Sequence, residues 1–401
     1  MSQVDVGDHE VAVFVGPEAL RIDVVDRYRF ALSMLSGGAA WTLTFWHSDQ
    51  ARASWRLLTD RARGVKLGQV VTVTIDGEAV LTGLVETREV GDDEGGAPVF
   101  VISGRDLLGP AITWDADPTV ALKGLPLDEA LARIYAGLGI VAEVSESVDP
   151  DLRIGALRRS RRVARSRRVS RVHHVDVTHP KIGEKVQGLV DRIVRGFGLR
   201  VWTTVATDAT RTPVVVDHPA SRGPARFTLL RELEGEAVTE RSNLRAGKER
   251  ASILDVPSRV TVFSQGSRGD KPSDAFARTV ENGYLFTEEA LARLDENTYE
   301  RPRYVASDRA QTPEAAQQEG ARLLAEANET FRRYEGVVLG HRQDGRLWYP
   351  NAVCSVRDDV CGVDELMLLV EVAFSGARQD GPKTDLTLLP LGALSEVPVP
   401  A

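Results

Sequence analysis

Strand-forming runs with apolar residues at alternating positions dominate the first hundred residues. Examples are Trp41-Thr42-Leu43-Thr44-Phe45 and Val71-Thr72-Val73-Thr74-Ile75, and Val99-Phe100-Val101-Ile102-Ser103 gives another strand-forming run. A period of two sends successive side chains to opposite faces of a half-buried strand. Asp76-Gly77 separates the second run from Glu78-Ala79-Val80-Leu81-Thr82. This pair predicts a tight hairpin, because both turn positions favour positive φ. The opening region therefore reads as all-β, a small barrel or a strongly curved sheet.

The period then changes. Leu127, Leu131, Ile134 and Leu138 fall at helical spacing behind Pro126, with Asp128 and Glu129 suited to the positive end of the helix dipole. A second helix carries Val186, Leu189, Val190, Ile193, Val194 and Phe197 on one face. Glycine pairs, Gly137/Gly139 and Gly196/Gly198, end the two helices, and each helix runs on into a strand. The two units align at a constant offset of 59. This is the pattern of a repeated helix–turn–strand unit in one α/β subdomain; the alternative is coincidence between two amphipathic helices.

From about residue 226 strands return, as in Arg259-Val260-Thr261-Val262-Phe263, followed by a loop-like stretch from Gly266 to Ser273. Thr312-Pro313 predicts a helix start, with Thr312 as N-cap. After Arg333 come four or five strands, including Gly336-Val337-Val338-Leu339, a turn at Asp344-Gly345, a long strand from Leu366 to Phe374, and Thr384-Asp385-Leu386-Thr387-Leu388-Leu389.

Composition narrows the function classes. The 401 residues exceed one ordinary core and predict two to four subdomains. Hydrophobic residues make up 42% and charged residues 27%, as in globular proteins, and no run is apolar enough to span a bilayer, so no membrane insertion is expected. The start, Met1-Ser2-Gln3-Val4-Asp5, lacks the basic and apolar parts of a signal peptide, which predicts synthesis and folding in a cytoplasm. Two cysteines, Cys354 and Cys361, are too few for a disulfide framework and read as reduced packing residues. A net charge of −8 argues against a general nucleic-acid binder.

Catalytic signatures are sparse. No Gly-x-Ser-x-Gly, His-Glu-x-x-His or phosphate-binding loop is present. The glycine pairs follow helices and precede strands, the reverse of a dinucleotide fingerprint. The carboxylates are dispersed, and no inserted hydrolase-like helical domain is visible. His173-His174-x-Asp176-x-x-His179 has metal-ligand residue types, but its arginine-rich setting repels a cation, and no metal or cofactor is expected.

One segment stands apart. Arg158, Arg159, Arg161, Arg162, Arg165, Arg167, Arg168 and Arg171 place eight arginines in fourteen residues. Such a block fits a solvated loop, a sequence-blind contact with DNA phosphates, or an acidic protein partner met by arginine's planar fork.

Taken in order, several motifs resemble the baseplate hub proteins of phage Mu and related contractile tails, within the late control protein D family. They begin with Gly68-Gln69-Val70-Val71-Thr72-Val73 and the Asp76-Gly77 hairpin, followed by Ser103-Gly104-Arg105-Asp106-Leu107-Leu108. The Leu125–Ile140 and Gly183-Glu184-Lys185-Val186 helices come next. Gly345-Arg346-Leu347-Trp348-Tyr349-Pro350-Asn351, the strand 366–374 and Thr384–Leu388 complete the series. The arginine block departs from the family pattern.

The resemblance implies an α+β, mostly β fold, with two β-barrel-like tube domains and an α/β subdomain between them. The expected division is a first tube domain over 1–115, an α/β subdomain over 116–225 that holds the arginine segment 158–171, and a second tube domain over 226–401. The last carries a helix near 313–330, and part of 226–265 is a candidate to pack with the first domain. The implied function is a non-enzymatic, homotrimeric hub with a central channel, joining a sixfold tail tube to a threefold spike in the virion. Implied partners are the tail tube protein, the central spike protein, and the tape measure protein or other baseplate proteins. Gly104, Arg105 and Asp106 are candidates for a structural turn or interface, and the arginine block for a contact with an acidic partner or with DNA in the channel. The alternatives are the equivalent hub of a tailocin or other contractile injection system and, ranked lower, a cell-wall hydrolase or a DNA-binding protein.

Overall fold

The computed structural model describes residues 10–16, 20–22, 25–47, 55, 59–60, 64–92, 96–154, 179–204, 214–235, 237–239, 241–264, 277–281, 301–307, 313–377 and 380–394. Seven strands come first: β1 (Val11–Val15), β2 (Leu20–Ile22), β3 (Arg27–Ser33), β4 (Ala40–Trp46), β5 (Val70–Ile75), β6 (Glu78–Asp92) and β7 (Pro98–Asp106). The hairpin between β5 and β6 turns on Asp76 and Gly77 at φ of 52° and 81°, the left-handed pair that the dipeptide predicts.

A short helix, α1 (Gly109–Thr113), leads into the α/β unit of α2 (Leu127–Tyr135), β8 (Ala142–Val144), α3 (Val186–Arg195), β9 (Arg200–Thr203) and β10 (Val214–Asp217). Strand β10 lies centrally, parallel to β8 and antiparallel to β9. The offset of 59 extends into the backbone. Gly124 and Gly183 precede the helices at φ of 79° and 78°, and Gly139 and Gly198 follow them at 66° and 72°. Leu127, Leu131, Tyr135, Leu189, Ile193 and Phe197 fill this unit's own core.

The chain continues through β11 (Phe227–Arg231), β12 (Leu233–Glu234), β13 (Ala237–Val238), β14 (Leu244–Ala251), β15 (Arg259–Ser264), β16 (Ala277–Glu281) and β17 (Pro302–Ser307) to α4 (Pro313–Asn328). Strands β15 to β17 form a separate small sheet, and α4 packs on it through Ala316, Leu323 and Leu324 against Val260, Val262 and Val280. Gly320 allows this approach, since a Cβ there would lie 2.8 Å from the Val280 side chain. The final strands are β18 (Arg332–Leu339), β19 (Arg342–Gln343), β20 (Arg346–Leu347), β21 (Ala352–Asp358), β22 (Val363–Ala377) and β23 (Gly381–Pro390).

The two β-rich regions are not separate sheets. Thirteen strands form one sheet, with the order β14-β18-β23-β22-β3-β4-β7-β6-β5-β1-β2 and with β11 and β21 branching from β22. The strand that joins them is β22. Its first half pairs with β21 and its second half, from Glu371 onward, with β3, while β23 accompanies both. The change of partner falls at Val370, where the register with β23 slips by one residue, as a bulge allows. One continuous core lies beneath, from Val13, Phe30, Trp41 and Phe100 to Trp348, Phe374 and Leu388. The fold is therefore α+β and mostly β.

Candidate assembly surface

The outer face of this sheet is polar. Along β3, β4, β18 and β23 buried and exposed residues alternate, so Tyr28, Phe30, Leu43, Phe45, Tyr334 and Leu386 face the core. Their neighbours face outward. The cross-strand pairings align Lys383, Ser375, Arg29, Thr42, Ser103 and Thr87 in one row across six strands. A second row runs from Lys248 through Glu335 and Thr387 to Glu371. Arg29 is paired with Asp385 at 2.9 Å, and Ser33 donates to Glu371 at 2.8 Å. At one end the α/β unit covers this face: Trp202 packs with Met34, Leu368, Val370, Leu389 and Leu394. The face thus has an apolar end bound to its own chain and a wide hydroxyl- and charge-bearing remainder.

Three polar clusters hold the wall in shape. The first contains Gly104, Arg105 and Asp106 at the end of β7. A Cβ on Gly104 would sit 1.9 Å from the Leu84 carbonyl oxygen, because the bulge after Val85 brings β6 over this position. Arg105 pairs with Glu86 through Nε and Nη2, at 2.9 and 2.7 Å, and this hydrogen bonding raises its pKa. Asp106 is fully buried and accepts from the amides of Ala39 at 2.8 Å and Leu108 at 2.9 Å. Burial pushes its carboxyl up to about 6, against the pull of those amides, the nearby Thr203 hydroxyl and Arg105. The three residues sit where β7 gives way to α1, with Ile112 of α1 against Gly38 and Gln187 of α3 against Gly37.

The second cluster lies at the seam between β3 and the C-terminal strands. Thr384 donates to the Gly340 carbonyl at 2.6 Å, so its oxygen receives the proton of His341 Nδ1 at 3.0 Å. His341 Nε2 is then an acceptor, and the Tyr28 hydroxyl donates to it at 2.7 Å. Gly376 makes room for that phenol, since a Cβ there would lie 2.5 Å from it.

The third cluster is centred on Asp358, which takes both arms of Arg231 at 2.7 and 2.6 Å and the Tyr334 hydroxyl at 2.6 Å. Burial opposes its charge, but bonds from Arg231, Tyr334 and Cys361 prevail and hold its pKa below the usual carboxylate value. Cys361 contacts the Gly247 carbonyl, and Cys354 is buried with its thiol pKa raised by desolvation; both cysteines are free thiols.

The arginines from Arg158 to Arg171 lie outside the described residues, as do His173, His174 and Asp176. Only His179 of that histidine cluster is described, at an exposed position. Among the described residues no group of three or more His, Cys, Asp or Glu is placed to hold a metal, and no helix is long and apolar enough to cross a membrane. Gly104, Arg105 and Asp106, which the sequence offers as a turn, are the last three residues of β7, and the turn follows at Leu107 and Leu108. Nothing in the sequence marks Glu86, nor the Arg231–Asp358–Tyr334 cluster, whose members come from three separate strands. The polar wall left a signal that was open to reading, in the Thr, Ser and charged residues at every second strand position.

No family model matches the sequence, and no curated protein matches it. Solved structures do. The tail protein from Neisseria meningitidis MC58 superposes with a TM-score of 0.71 at 21% identity, covering 97% of this chain and 98% of its own. The 43 kDa tail protein of prophage MuSo2 from Shewanella oneidensis gives 0.70 at 21% identity, covering 96% and 99%. A chain of the Francisella PdpA-VgrG complex in its half-lidded form gives 0.52 at 8% identity, covering 96% of this chain and 59% of its own. This chain has the fold of the two tail proteins over nearly its whole length.

Proposed function

We propose that this chain is a structural hub of a contractile phage-type tail, a homotrimer that joins a sixfold tail tube to a threefold central spike in the virion baseplate. The observation that carries the reading is the end-to-end likeness to tail proteins, combined with one sheet that spans both β regions and exposes a continuous polar face. A wall with an apolar back and a polar front suits a channel lining: the back is filled by the chain's own core, and the front meets water or passing cargo. On this reading the tube protein docks on one end of the ring and the spike on the other, with the tape measure protein or other baseplate proteins as further neighbours. Gly104, Arg105 and Asp106 at the end of β7 anchor the wall to the α/β unit, and the arginine block offers a contact to an acidic partner or to DNA in the channel. Its work is assembly rather than catalysis.

The equivalent hub of a tailocin or other contractile injection system is the second reading, favoured by the likeness to the VgrG-containing complex. Co-assembly tests the shared core of both. Purified protein mixed with the tail tube protein of the same particle should form a stable complex of one trimer per tube ring, seen by mass photometry. Failure to bind at any ratio would remove the hub reading.

A further inference from the structure

The polar wall is a ribbon with two ends, and the ends differ in charge. From β14 through β18, β23, β22, β3, β4 and β7 to the upper half of β6, all eight strands run antiparallel to their neighbours. Strand β5 accompanies β6 only as far as Leu84 in the ladder, with last backbone bonds from the Val85 amide to the Gln69 carbonyl and from the Gly68 amide to the Val85 carbonyl. Beyond that point Glu86–Asp92 has β7 on one side and, among the described residues, no strand on the other. All seven of these residues are exposed, including Val90 at 49%. Glu89 and Asp92 take part in no ion pair among the described residues. At the opposite end β14 exposes Arg245, Lys248 and Arg250, which likewise have no acidic partner there.

An eight-stranded antiparallel ribbon has its first and last strands pointing in opposite directions. A second copy brought alongside by rotation therefore sets its β14 antiparallel to this copy's β6. Such a head-to-tail contact, repeated, closes into a ring. The faces agree as well: Glu89 shares the outer face with Thr87, and Lys248 and Arg250 share it with Glu335. If Glu89 is set opposite Lys248 in antiparallel register, Arg88 falls opposite Glu249 and Asp92 opposite Arg245. Glu89 and Asp92 then each meet a cation, whereas Glu249 is already paired with Arg332 and Arg88 lies over the Phe100 ring. The Gly247 carbonyl is already taken by Arg231 and Cys361, so side-chain ion pairs, not a full backbone ladder, hold this seam.

We infer that the acidic edge Arg88–Asp92 of one copy docks on the basic edge Arg245–Arg250 of a second copy of this chain, and that this seam closes the ring. The inference rests on the hub reading and names the surface through which the subunits of that hub meet.

Charge exchange tests it, on the full-length protein by sedimentation velocity at low and moderate salt. Glu89→Lys and Lys248→Glu should each make the trimer dissociate about tenfold more readily, the equivalent of roughly one lost ion pair of favourable geometry. The double variant should regain the wild-type constant, and added salt should weaken the wild-type seam. Single reversals that leave the trimer unchanged, a double exchange that restores nothing, or a monomeric wild type would each overturn the inference. A second variant needs no charge reversal. Within one chain Glu89 and Lys248 lie seven strand spacings apart, about 34 Å along the sheet. Glu89→Cys combined with Lys248→Cys probes the contact directly: oxidation should yield covalent dimers and trimers, and monomer alone would contradict the seam. Binding to the tube protein separates the two levels. A trimer that binds the tube but ignores these exchanges refutes the seam and leaves the hub reading standing.

Discussion

Residue identity matters most where backbone and side chain have no alternative. At Gly104 a methyl group would collide with the Leu84 carbonyl, and two paired strands cannot separate locally without losing their ladder. Gly104→Ala is expected to cost on the order of 2–4 kcal/mol in chemical denaturation. Gly137→Ala in the α/β unit, where nothing lies within 4 Å of the added atom, should stay within about 0.5 kcal/mol. Asp106 offers a pH signature. Its carboxyl, pushed up to about 6, holds its proton more tightly in the folded state than in the unfolded chain, where the ordinary value is about 3.9. Its contribution is therefore most favourable below about pH 4, declines between about 4 and 6, and is level above that range. Comparing wild type with Asp106→Asn across this range should reveal a difference in slope confined to that interval; parallel curves would contradict the assigned environment. The Gly-Arg-Asp motif drew attention to the end of β7, but the sequence held no sign that Arg105 would choose Glu86, nineteen positions earlier, as its partner.

The elements divide by how local their causes are. The Asp76-Gly77 hairpin, the helices behind Pro126 and Lys185, and the strand through Leu366–Phe374 are written in neighbouring residues, and the structure has them there. The helix predicted from Pro313 is present as well, yet it packs on β15, β16 and β17 rather than on the large sheet. That choice depends on Gly320 meeting Val280, a contact with no local signal. The Arg231–Asp358–Tyr334 cluster ties β11, β21 and β18 together in the same non-local way. Removing one partner would strand a buried charge, so Arg231→Met is expected to cost about 3–5 kcal/mol. Arg231→Met combined with Asp358→Leu should recover much of that loss, because the desolvated charge goes with it. Urea titrations of the two single variants and the double variant check this; strict additivity would show that the pair does not act as a unit.

At the scale of the molecule, the order of β, α/β and β regions was legible, whereas the joining of the β regions into one sheet was not. That joining depends on β3 pairing with β22 across most of the chain's length, and a pairing so distant leaves no periodic trace. The His341–Tyr28 bond on the same seam is equally hidden, although it fixes which ring nitrogen carries the proton. Tyr28→Phe should therefore loosen the seam by roughly 1–2 kcal/mol, read by hydrogen exchange of the β3 and β22 amides. Once the sheet is continuous, its polar face and its oppositely charged ends become properties of one wall. We propose that three such walls make one ring. Single-particle electron microscopy of the purified protein tests it most directly: a threefold ring with an open channel is predicted, and compact monomers or a closed twofold dimer would contradict it.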